Sequence, residues 1–208
     1  MYGFDEQTGA SSGGSRIAAG ITENVNLKDV LYEPLKADGS GDDVLKFLFS
    51  DSAGSSFTHI EFPIDPARLQ ELAKGWGKST ADAEAFVKQQ FDAQGERIKH
   101  VLSCFIPKDK CVFRAANFKE FADGVIKMLG QTYVDVPCRV KIVYKKNSQF
   151  TTFPNRAFKP FIQAMTEPNR LVIDPKWDIV EAAAPDSSGE AWSSSEKSTA
   201  TTEDTAPW

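Results

Sequence analysis

The sequence has few of the side chains on which covalent cross-linking and catalysis most often depend. It holds three cysteines, Cys104, Cys111 and Cys138, and two histidines, His59 and His100. An odd, small cysteine count argues for reduced thiols and against a disulfide framework. There is no Gly-x4-Gly-Lys-Ser/Thr loop to cradle a nucleotide's phosphates and no Gly-x-Ser-x-Gly elbow to present a nucleophile. No run approaches the roughly 18 apolar residues that a membrane span needs. Residues 1–15 lack the basic and apolar regions of a secretory signal. We therefore expect a non-enzymatic, cofactor-free cytoplasmic protein with no membrane partner.

Two sets of residues could be exceptions. His100 and Cys104 stand four apart, on one face of a helix, and with Cys111 and Cys138 could supply four ligands to zinc. Structural zinc sites, however, are built on close Cys-x2–4-Cys pairs, and none occurs, so buried thiols on apolar faces are expected instead. Asp42, Asp43, Asp51 and Glu61 are the carboxylates from which a small metal-dependent nuclease would be built. Turn and surface positions account for them better. Trp76, between Gly75 and Gly77, is expected to anchor a helix end.

The net charge of −5 would normally argue against a polyanionic partner, but the acid lies at the ends. Residues 1–15 hold −2 and residues 181–208 hold −5, which leaves residues 16–180 at +2. Residues 5–15 are rich in Gly and Ser and read as a flexible arm. Residues 181–208 consist largely of Ala, Ser, Thr, Pro and acid. They offer too little apolar surface to offset the entropy of ordering and are expected to be disordered.

Between the ends the hydrophobic period changes twice. Strand patterns run over Gly20 to Leu35, Val44 to Phe49 and Phe57 to Ile64, separated by turn clusters at Lys36–Asp43 and Asp51–Ser56. A helical block of about 65 residues follows. It comprises Pro66 to Trp76, a segment opened by Ser79, an amphipathic run with Ile98, Val101, Leu102 and Phe105, and a helix capped by Asn117. Strand patterns return at Val136 to Lys145, Gln149 to Phe153 and Arg170 to Ile173, while Phe158 to Met165 is ambiguous. The expected fold is mainly β with a helical insertion at about 66–130. Three strands, helix, then two or three strands is the order of an OB-fold-like five-stranded barrel elaborated by helices.

Two features point to function. Residues 136–166 hold Arg139, Lys141, Lys145, Lys146, Arg156 and Lys159 and no acid. Tyr144, Phe150, Phe153, Phe158 and Phe161 are interleaved with them. Cations follow a phosphate backbone and aromatic faces stack on unpaired bases, so this is the composition of a single-strand binding surface. Alternation in a strand would set Arg139, Lys141 and Lys145 on one face and turn Tyr144 inward. The expected DNA-binding residues are Arg139, Lys141, Tyr144, Lys145, Lys146, Phe150, Phe153, Arg156, Phe158 and Lys159. The second feature is the C-terminus, Glu203-Asp204-Thr205-Ala206-Pro207-Trp208, where an indole, a terminal carboxylate and two acids form a compact docking element.

That tip resembles the C-terminal peptide of bacterial single-stranded DNA-binding proteins, Asp-Asp-Asp-Ile-Pro-Phe, and the acidic tails of their bacteriophage counterparts. Glu203 and Asp204 stand at acidic positions, Pro207 at the proline and Trp208 at the aromatic. Trp replaces Phe, and Thr205-Ala206 replaces Asp-Ile. The core resembles the phage type in layout. The resemblance implies sequence-independent protection of single-stranded DNA. It also implies recruitment of replication or repair proteins through Glu203, Asp204, Pro207 and Trp208, in the host cytoplasm if the chain is viral. The alternatives are the small nuclease and a non-enzymatic scaffold protein whose tail recruits a partner without nucleic acid.

Overall fold

Strand β1 (Gly20–Pro34) is the longest strand and the one around which the others are arranged. Its first half pairs antiparallel with β4 (Pro137–Tyr144), and its second half with β2 (Asp43–Ser50). Both ladders are irregular. Against β4 the register shifts between Thr22 and Val25, where Asn24 takes a φ of 56°. Asparagine tolerates this left-handed conformation better than most residues. Against β2 it shifts between Leu27 and Asp29. Such bulges increase local bend and twist, which lets one strand turn from one neighbour to the next. The computed structural model in which this is seen describes residues 15–181 apart from 37, 40, 147, 149 and 155–158.

Strand β3 (Ser56–Glu61) pairs with β2. Strand β5 (Thr151–Thr152) pairs with the end of β4, and β6 (Ile162–Ala164) with its start. The result is a mostly antiparallel sheet with the path β3-β2-β1-β4-β5 and β6 beside it on β4. β3 and β5 are thus the two ends of the path. Among the described residues no ladder joins them. Side chains cross the gap instead: His59 Nδ1 lies 3.5 Å from Thr152 Oγ1, and the imidazole sits 4.7 Å from the ring of Phe153.

Three helices lie between β3 and β4: α1 (Pro66–Gly75), α2 (Thr80–Leu102) and α3 (Phe118–Leu129). Each start is capped. The Asp65 carboxylate accepts from Arg68 N, Ser79 Oγ from Asp82 N and Asn117 Oδ1 from Glu120 N. Glu120 reaches back to Ala116 N, close to a capping box. Ile98, Val101 and Leu102 of α2 join Ala122, Val125 and Leu129 of α3 against the apolar face of the sheet. That face includes Val25, Leu27, Leu45, Phe47, Phe49, Val140 and Ile142. Full burial of each large side chain contributes about 1.5–3 kcal/mol.

The structure departs from the sequence reading in its elements: the amphipathic run expected to include Phe105 ends as a helix at Leu102, and two further stretches differ. The segment opened by Ser79 and the amphipathic run through Leu102 are one helix of 23 residues that continues through Gly95. Arg170–Ile173 is not a strand. Its backbone is held by a side chain, because Gln163 Oε1 accepts from Arg170 N while Gln163 Nε2 donates to Pro168 O. The strand position beside β4 is taken by Ile162–Ala164, the stretch whose pattern is ambiguous.

Candidate functional site

The site begins where β4 ends. Lys145 and Lys146 follow Tyr144 directly and are exposed. They border a groove of about 600 Å³ whose other side is Thr152, Phe153, Lys176 and Trp177. The strap that carries Lys176 and Trp177 is fixed by a turn at Asp174-Pro175. Asp174 Oδ1 accepts from Lys176 N at 3.1 Å, and Asp174 O accepts from Trp177 N at 2.9 Å. Pro at the second turn position and Asp at the first are the residues such a turn favours. The strap is tied to the sheet where Tyr144 N donates to Ile179 O at 2.7 Å. Trp177 is 48% exposed, and the Lys176 ammonium lies 5.0 Å from its ring centre.

A second groove of about 530 Å³ lies between β3 and α1, and Lys145 borders it too. Its floor is a buried polar network. Glu61 accepts from Arg97 Nε at 2.7 Å and Nη2 at 2.8 Å, from His59 Nε2 at 3.0 Å, and from Gln94 Nε2 at 3.2 Å. Burial alone would raise the Glu61 carboxyl, but the hydrogen bonds from Arg97 and His59 outweigh it and hold it at about 2. The carboxylate is therefore neutralised in place, while Lys145 and Arg68 at the rim have no carboxylate paired with them among the described residues. Chemically, the two grooves offer cations beside aromatic and apolar faces, with their acid engaged by other partners.

The residues expected to bind single strands do not all lie here. Tyr144, Lys145, Lys146 and Phe153 border the first groove. Phe150 is 67% exposed next to it, its carbonyl accepting from Lys145 N. Phe153 contributes no free face: it is 0% exposed, packed against His59, Phe161, Phe57 and Phe49 at 4.7–5.5 Å. The expected solvent-facing row of cations on β4 is replaced by ion pairs. Lys141 is 1% exposed, with Nζ 2.8 Å from Asp178 and 3.1 Å from Val172 O. Arg139 is bound to Glu23 and Glu167 O, and Lys159 pairs with Asp174. Arg156 and Phe158, and the tip residues Glu203, Asp204, Pro207 and Trp208, lie outside the described residues.

Sequence reasoning misses Lys176, Trp177, Arg68 and Arg97. The Asp174-Pro175-Lys176-Trp177 turn signature is the readable signal for the first two. Arg97 carries no local signal, because its partner Glu61 is 36 residues away.

The carboxylates of the nuclease set are dispersed. Asp43 opens β2 and Asp51 follows its other end, about 25 Å apart at strand rise. Asp51 accepts from Ala53 N and Ser55 N, and Glu61 is held by Arg97. Each thiol donates to a carbonyl: Cys104 to His100 O, Cys111 to Pro107 O and Cys138 to Val25 O. Burial raises all three, Cys138 to about 12, so they stay protonated at neutral pH. Among the described residues no group of three or more His, Cys, Asp or Glu could hold a metal ion. No protein-family model matches the chain, and neither a curated protein nor a solved structure matches it.

Proposed function

We propose that this chain is a sequence-independent single-stranded DNA-binding protein whose C-terminal tip recruits replication or repair proteins. The observation that carries the reading is the first groove. Lys145 and Lys146 follow Tyr144 on one side, and Trp177 with Lys176 closes the other. A single strand presents phosphates and unstacked bases, and this groove matches a cation to the first and a ring to the second. The sheet path adds support for an OB-type barrel. Its end strands β3 and β5 face each other across His59 and Thr152, and the helices are inserted between β3 and β4. The helical block is then the elaboration of that barrel.

Titration of the protein with oligo-thymidine, followed by tryptophan fluorescence, tests the reading. Binding is expected to quench the signal, and log K is expected to fall linearly with log salt, by about 0.7 for each phosphate contacted. Heteropolymeric single strands should bind equally well and duplex DNA should compete poorly. A protein that leaves oligo-thymidine unbound at low salt is not a single-strand binder.

A further inference from the structure

The first groove does not end at Lys145, because that lysine also borders the groove between β3 and α1. On α1, Arg68 and Leu72 are four residues apart and so share a helix face. Both border the second groove, with Phe62 and Leu69 beside them. Arg68 is exposed, and Leu72 leaves 46% of its surface uncovered. Of the two acids that line this groove, Glu61 is neutralised by Arg97, whereas the Asp65 carboxylate caps α1 and keeps its charge at the helix start. The wall presented by α1 is thus a guanidinium next to apolar surface.

We infer that α1 forms the second wall of the single-strand path. A strand lying in the first groove passes over Lys145 and continues between β3 and α1, with a phosphate on Arg68 and a base or sugar against Leu72. This rests on the reading of the first groove as a single-strand site. A polymer longer than one groove must leave it, and the groove that shares Lys145 is cationic and apolar in the same combination. The helical block is thereby assigned a role in binding, beyond covering the sheet.

The test uses the full chain and two oligo-thymidines, of about 4 and about 16 nucleotides, the ends of the range occupied by one OB module. The quantity read is the gain in affinity from the short to the long strand. Arg68→Ala is expected to reduce that gain by about 2- to 10-fold, the range of one net hydrogen bond. It should lower the salt slope on the long strand by about 0.7. Arg68→Lys, which keeps the charge, should restore most of both. Lys145→Ala with Lys146→Ala should weaken both lengths. If Arg68→Ala leaves gain and slope unchanged while the double lysine variant weakens binding, the α1 wall is overturned and the first groove stands. If the unaltered protein binds neither oligonucleotide, the single-strand reading fails and the inference with it.

Discussion

Lys141 and Asp178 form an ion pair of 2.8 Å in which both side chains are nearly inaccessible to solvent. The pair ties the strap to the sheet, since Asp178 also accepts from Asp174 N at 2.8 Å. Removing one member leaves the other charged and buried, which costs about 3–5 kcal/mol. Lys141→Ala is therefore expected to lower the urea midpoint strongly. Replacing both residues by apolar ones of similar volume should restore most of the stability. Single-strand affinity of the folded Lys141 variant should change far less than that of Lys145→Ala.

Lys145→Ala combined with Lys146→Ala should weaken single-strand binding about equally for all base compositions. The salt slope should fall by roughly 0.7 for each phosphate that is no longer neutralised. Trp177→Ala should lower affinity by about 1–3 kcal/mol, the range for one stacked base, and reduce the fluorescence quench on binding. An unchanged quench would place the responding indole elsewhere.

Phe153→Ala separates packing from stacking. The ring is enclosed by three other phenylalanines and His59, so truncation should cost about 3–5 kcal/mol of stability. Chemical denaturation measures this directly. Single-strand affinity of the folded fraction should be nearly unaltered.

Glu61 sets part of the acid stability. Its carboxyl is held at about 2 in the folded protein and titrates near 4.3 in an unfolded chain. On acidification the unfolded state takes up the proton first. Stability is therefore complete above about 4.3 and is lost progressively as pH falls towards about 2. Glu61→Gln should be less stable at neutral pH and should show a flatter decline over that window in denaturant midpoints measured against pH.

Removing residues 181–208 takes the net charge from −5 to 0. If that acid competes with DNA for the cationic grooves, affinity should rise on truncation, most at low salt where screening is weak. Deleting only Pro207 and Trp208 keeps every side-chain charge. It should abolish partner recruitment, scored by pull-down of replication proteins, with DNA affinity nearly intact.

Strand and helix patterns are readable wherever local chemistry decides them. The Asn117 cap and Pro66 in the first turn of α1 appear as their sequence implies, and β1 is a strand although two register shifts interrupt its ladders. What long-range partners decide is not readable. A lysine alternating with apolar residues in a strand reads as solvated, yet Lys141 is covered because Asp178 comes back over it from 37 residues away. Ile162–Ala164 is too short to show a period, and it is a strand because β4 offers it an edge there. In the site, Tyr144, Lys145 and Lys146 are legible as a local run, whereas the opposing wall comes from the strap and from α1.

The gap between β3 and β5 gives the molecule one adjustable dimension. It is crossed by an imidazole, a hydroxyl and a ring, so parting it breaks no backbone ladder and leaves both ladders of β1 intact. Local opening is easiest where such ladders are absent. The first groove borders this seam through Thr152 and Phe153, and the second through His59. The seam thus lies between residues that line the two grooves. Under the proposed single-strand reading, a seam joined by side chains and by no backbone ladder would let that surface adjust to purines and pyrimidines alike.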